Sequence, residues 1–79
     1  MKAMKTTIYL VRHGDVHNPD GIFYERMPGF YLSELGKQQV HALGKFLSTK
    51  AISQIYASPL ERAQETAQII ASYRKDTGI

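Results

Sequence analysis

Thr6-Thr7-Ile8-Tyr9-Leu10-Val11 is a β-branched and aliphatic run without polar alternation, the pattern of a strand covered on both faces. Between Arg12 and Leu32 the chain turns to Gly14, Asn18, Pro19, Asp20, Gly21, Pro28 and Gly29. A turn-rich stretch of that length exceeds an idle connection and is of the kind that carries function. Ser33 then offers an N-cap and Glu34 a first-turn acid, before Leu35, Ala42, Leu43, Phe46 and Leu47 recur at helical spacing. The spacing predicts an amphipathic helix ending around Lys50. Ile52, Ile55 and Tyr56 predict a short second strand over Gln54 to Ala57. In Ser58-Pro59-Leu60-Glu61, Ser58 caps a second helix, Pro59 takes its first position and Glu61 completes a capping box. Leu60, Ala63, Ala67 and Ile70 define the expected buried face of that helix, which runs to about Tyr73. Lys75 to Ile79 reads as a helix stop.

Strand, long loop, helix, strand, helix is the order of an α/β protein with a parallel sheet. Two parallel strands and two helices do not by themselves close a core, because parallel sheets need both faces covered. Residues 1–79 are therefore expected to form a single, incomplete domain. A chain of 79 residues buries only about 60% of the surface that its unfolded form exposes, so its core is thin.

With no cysteine, thiol catalysis, disulfides and Cys-ligated metals are excluded. The longest apolar run, Ile8 to Val11, is far short of a membrane span or a signal-peptide core, so no membrane partner and a cytoplasmic location are expected. The formal charge of +3 is spread along the chain without a basic block or a basic helix face. That distribution argues against a nucleic-acid partner and suits an anionic small molecule.

In an open parallel sheet the ligand crevice lies beyond the carboxyl ends of the strands. Arg12-His13-Gly14 and Ser58-Pro59-Leu60-Glu61-Arg62 follow the two predicted strands and so share one rim. Alone, Arg12 and His13 would be a hydrogen-bonded rim pair, and Arg62 a solvated helix residue pairing with Glu61, Glu65 or Asp15. Placed together, they describe a phosphate pocket. A neutral imidazole nitrogen can attack phosphorus, while forked guanidiniums bind the equatorial oxygens and stabilise transition-state charge.

Three motifs carry a resemblance: Ile8-Tyr9-Leu10-Val11-Arg12-His13-Gly14, Leu32-Ser33-Glu34-Leu35-Gly36-Lys37-Gln38-Gln39, and Ile55-Tyr56-Ala57-Ser58-Pro59-Leu60-Glu61-Arg62-Ala63-Gln64-Glu65-Thr66-Ala67. In this order and spacing the chain, from Thr6 to Ala71, resembles the N-terminal part of the histidine phosphatase superfamily, the fold of the cofactor-dependent phosphoglycerate mutases. The resemblance implies the β-α-β-α portion of a phosphoglycerate mutase-like three-layer α/β fold with a mainly parallel sheet. It implies that His13 is transiently phosphorylated and that Arg12 and Arg62 grip the phosphoryl group of a phosphorylated small-molecule substrate. Asn18 corresponds to a phosphate-binding Asn of the loop, although its spacing is one residue short and Val16 stands where Thr is usual. Ser58 is expected to build the pocket wall as a helix cap.

The family also uses a carboxylic acid that protonates the leaving oxygen and a second histidine, both from segments beyond the second helix. Glu61 and Glu65 at the helix start, and Asp15 and Asp20 in the loop, match neither position, and His17 and His41 read as surface residues. Two functions stand side by side. One is phosphate monoester hydrolysis through a phosphohistidine at His13. The other is a truncated, catalytically inactive fragment that binds phosphate or associates with another chain through exposed sheet edges. By either reading, the 79 residues alone should turn over a substrate poorly or not at all. A mutase is less expected than a phosphatase, because Asp15 to Leu32 lacks the extra basic groups that would reorient a doubly phosphorylated intermediate. The aromatic stretch Ile22 to Tyr31 either lines a substrate mouth, with Arg26 as a further anion contact, or packs against the first helix. Nothing in the sequence calls for a metal or an organic cofactor.

Overall fold

A computed structural model describes residues 7–74. Thr6 and the predicted helix stop at Lys75 to Ile79 lie outside the described residues. Two helices carry the regular structure, α1 (Glu34–Leu47) and α2 (Glu61–Ser72).

α1 begins at the expected cap. The Ser33 backbone is extended, and its Oγ accepts the N–H of Gly36 at 3.0 Å, satisfying one of the donors that a helix start leaves orphaned. Glu34 in the first turn and Lys45 in the last complement the helix dipole. The helix stops at Leu47, short of Lys50, where the Ser48 N–H turns back to the carbonyl of Gly44 at 2.9 Å. Arg74 closes this end by donating to the carbonyls of Leu47 and Lys50, each at 2.7 Å.

The buried face of α1 is Gly36, Val40, Gly44 and Leu47, with Leu43 packed beside it. Leu35, Ala42 and Phe46, expected on that face, are exposed. The seam follows the two glycines because they allow close approach. A Cβ on Gly44 would come within 2.6 Å of the Tyr73 ring.

α2 differs more from expectation. Its N-cap is Leu60, without a side-chain cap bond. Ser58 instead accepts the Leu60 N–H on its Oγ at 3.3 Å, Pro59 precedes the helix, and the Glu61 carboxylate turns away to the N–H of Gly29. The capping box is therefore not formed. The buried face is Arg62, Thr66, Ala67 and Ile70, rotated from the expected one, so that Leu60 and Ala63 are only half-buried. Thr66 tolerates burial because its hydroxyl donates to the Arg62 carbonyl at 2.8 Å. Leu32, Val40, Leu47 and Ile70 make the core, with Leu43, Ile52, Ile55 and Ile69 against it.

The expected β-α-β-α unit with a parallel sheet is not present: among the described residues there is no strand. Val16 and Leu32 form an isolated antiparallel bridge. The stretch predicted as the first strand is exposed from Thr7 through Val11, with Leu10 at 94%, and in the second Tyr56 stands 91% exposed. The physical reason is coverage. A parallel pair is stable when apolar layers lie on both faces, and among the described residues α1 and α2 are the sole regular elements that could supply one. A radius of gyration of 14.3 Å, against about 12 Å for a compact chain of this length, agrees with an open arrangement. Among the described residues no helix is long and apolar enough to cross a membrane.

Candidate functional site

His13 sits at the junction between an exposed segment and a tightly held one. On its C-terminal side, the Asp15 N–H donates to Gln39 Oε1 at 2.9 Å, and the Asp15 carbonyl accepts the Ser33 N–H at 2.9 Å. The Ser33 hydroxyl donates to Asp15 Oδ2 at 2.7 Å. The His17 N–H donates to the Tyr31 carbonyl at 2.9 Å, the other bond of the Val16–Leu32 bridge. Gly14 and Gly36 lie backbone against backbone: a Cβ on Gly14 would strike the Gly36 carbonyl, and one on Gly36 the Asp15 carbonyl. The glycine after His13 is thus required by close approach to the start of α1.

The His13 ring is oriented by its own neighbour, since Nδ1 lies 2.8 Å from the Gly14 carbonyl oxygen. A carbonyl only accepts, so Nδ1 carries a proton, and of the two neutral tautomers this contact selects the one with the lone pair on Nε2. Arg12 and His13 are both exposed. They line, with Ser58, one end of a groove of about 740 Å³ that runs between Thr7–Val11 and Ala51–Ala57, floored by Thr66, Ala67 and Ile70 of α2.

Arg62 is placed differently from a solvated helix residue. It is 2% exposed, and a buried guanidinium is costly unless its donors are satisfied. Nη1 donates to the Met27 carbonyl at 2.9 Å and Nη2 to the Glu25 carbonyl at 2.5 Å. Its Cζ lies over the Tyr24 ring, 4.7 Å from the centroid. Tyr24 stacks on Phe30 at 5.0 Å, and its ring centroid is 6.4 Å from that of His13. His13 and Arg62, the two residues expected to share a phosphoryl group, therefore share one aromatic neighbour.

Two carboxylates of α2 hold the same loop. Glu61 accepts the Gly29 N–H at 2.7 Å, and Glu65 accepts the Leu32 N–H at 2.8 Å. Hydrogen bonds from the Glu61 backbone N–H and from Gly29 hold the Glu61 carboxyl below the ordinary glutamate value, with the Arg62 charge acting in the same direction and partial desolvation opposing. Glu61, Arg62 and Glu65 thus grip both the N–H and the C=O groups of residues 25–32. The predicted partners of Arg62 among the carboxylates are used otherwise: Glu65 on Leu32, and Asp15 on Ser33.

Asn18 closes its own turn. Its carboxamide donates to the Ile22 carbonyl at 2.7 Å and accepts the Ile22 N–H at 3.0 Å, around a Gly21 with φ +62°. Arg26 is exposed. His17 and His41 are both exposed, as surface residues are, and His41 Nδ1 lies 2.7 Å from the hydroxyl of Tyr73, the residue that ends α2. The contact of Tyr24 with Arg62 and the loop-binding role of Glu61 and Glu65 escaped the sequence reading. The available signal was the acid-Arg-x-x-acid spacing of residues 61–65, one helical face turned to a loop rich in unpaired backbone groups.

The description "Histidine phosphatase superfamily (branch 1)" matches residues 8–78. The chain belongs to the histidine phosphatase superfamily. An uncharacterized protein of Mycobacterium tuberculosis is 52% identical over 68 residues, which cover 86% of this chain and 34% of that protein. A 2,3-bisphosphoglycerate-dependent phosphoglycerate mutase of Thermoplasma acidophilum is 40% identical over 75 residues, covering 92% of this chain and 37% of the mutase. A probable fructose-2,6-bisphosphatase TIGAR A of Danio rerio is 36% identical over 62 residues, 77% of this chain and 24% of the relative. This histidine phosphatase sequence thus spans about a third of the length of such relatives. No solved structure matches it.

Proposed function

We propose that the chain supplies the nucleophile and phosphate grip of a histidine phosphatase that hydrolyses phosphate monoesters through a phosphohistidine at His13. The observation that carries this reading is the Nδ1–Gly14 contact of 2.8 Å, which leaves Nε2 as the unprotonated nitrogen of an exposed ring. The Nε2 lone pair attacks phosphorus, the phosphorus–oxygen ester bond breaks, and the leaving oxygen takes a proton from solvent water. Water then attacks the phosphohistidine, releasing inorganic phosphate and restoring the imidazole. Arg12 and Arg62 neutralise the equatorial oxygens. Of the two Asn18 N–H donors one is given to Ile22, which leaves the second for the anion.

Three of the acids weighed as proton donors are engaged elsewhere, Asp15 with Ser33, Glu61 with Gly29 and Glu65 with Leu32. This favours a second reading for residues 1–79 by themselves, phosphate binding without efficient turnover. p-Nitrophenyl phosphate separates the two, because its weakly basic leaving group departs without a proton donor. The expected result is an acid-labile phosphoryl group on His13 with release of p-nitrophenol and slow turnover, all abolished in His13→Ala. Binding of phosphate with no phosphohistidine supports the second reading, and neither signal contradicts both. The mutase alternative rests on the named activities of several relatives, and the loop from Asp15 to Leu32 supplies Arg26 as its one Lys or Arg.

A further inference from the structure

We infer that Tyr24 is a positioning residue for the phosphoryl site: its ring holds the Arg62 guanidinium in register with His13. The inference rests on the function proposed above. Tyr24 contacts both members of the pair, with Arg62 Cζ 4.7 Å from its centroid and the His13 ring centroid at 6.4 Å, tilted by 53°. The ring is itself fixed, half-buried and stacked on Phe30 at an interplanar angle of 26°. Arg62 reaches this place from α2, while His13 is set by the Gly14–Gly36 contact with α1. No other described ring touches both, so the ring is the physical link between a nucleophile in the loop seated on α1 and a charge carried by α2.

The chemistry accounts for the choice of residue. A guanidinium is planar, delocalised and weakly hydrated, and it lies well on the electron-rich face of an aromatic ring. The Glu25 and Met27 carbonyls take two of its five N–H donors and fix its orientation in the plane. The ring fixes it in the perpendicular direction, so the guanidinium keeps at most three donors for an anion, in one plane and without a search over rotamers. A side chain of similar size without a π-face fills the same space and leaves the charge free to tilt.

The test is titration of the full 79-residue chain with inorganic phosphate, followed through the His13 imidazole signals by NMR, with the His41 signals as a monitor of α1–α2 packing. Tyr24→Leu should weaken phosphate binding by roughly 3- to 10-fold, the range expected for a guanidinium–ring contact, with His41 unmoved. Tyr24→Phe should restore the parent affinity, because the ring face and not the hydroxyl is used. Should Tyr24→Leu fail to fold, pentafluorophenylalanine at position 24 keeps the shape, inverts the ring's electrostatics and should weaken binding to a similar degree. Parent-like affinity in the Leu or the pentafluoro variant overturns the positioning role while the proposed function stands. A parent chain whose His13 does not respond to phosphate overturns the proposed function and the positioning role with it.

Discussion

The backbone after His13 and the backbone before it are held in opposite ways. From Asp15 to Ser33 the chain is tied to α1 and to itself by the Asp15–Gln39, Asp15–Ser33 and His17–Tyr31 hydrogen bonds. The preceding Thr7–Val11 is as apolar as any stretch in the molecule, yet it lies exposed beside the groove. Polar groups that find partners on a neighbouring helix fix a loop locally, whereas a β-branched run becomes a strand only when layers from elsewhere cover it. The candidate site inherits this asymmetry. His13, the proposed nucleophile, stands at the border, with Gly14 buried on one side and Arg12 exposed on the other.

The contrast can be broken most sharply at the glycine pair. Gly36→Ala would push a Cβ into the Asp15 carbonyl, and backbone does not yield as a flexible side chain does. A loss of about 3 kcal/mol is expected, seen as a large fall in the urea midpoint and as altered His13 signals. An unchanged midpoint would mean that the loop is not seated on α1. Ser33→Ala removes both the cap on Gly36 and the hydroxyl bond to Asp15. It should cost about 1 to 2 kcal/mol in the same melt, and a neutral result would separate the cap from the loop.

A smaller effect concerns pH. The folded Glu61 carboxyl lies below its ordinary value, so its contribution to stability is present above the unfolded value of about 4.3 and is lost as pH falls through the lower folded value. Denaturation midpoints measured from pH 6 downward should fall in that window, and Glu61→Gln should flatten the fall. A Gln variant with the parent's profile would place the acid sensitivity elsewhere. At the far end of the scale, Leu10→Ser alters a residue that is 94% exposed and should shift stability by no more than about 0.5 kcal/mol. A clear loss there would show that Thr7–Val11 is covered in solution.

What was legible follows the same division. The Ser33 cap could be read because all its parts lie within four residues, and the family because its motifs, Arg12-His13-Gly14 among them, are compact. The strands could not be settled, since parallel pairing depends on partners distant in the chain. The buried face of α2 was misread because Arg62 looks like a surface residue until the carbonyls of Glu25 and Met27, far back in the sequence, accept its donors. Glu61 was assigned to a capping box for a comparable reason. Its pairing with Gly29 is a tertiary contact that the helix-start pattern does not encode.

The central claim is that His13 presents Nε2 as a nucleophile, and the tautomer of its imidazole tests this most directly. Long-range proton–nitrogen correlation of the chain above about pH 8, where an imidazole is neutral, distinguishes the two ring nitrogens. The Nδ1 contact with Gly14 at 2.8 Å predicts a protonated Nδ1 and an unprotonated Nε2 for His13. A proton on Nε2 would leave no lone pair facing the substrate and would contradict the account.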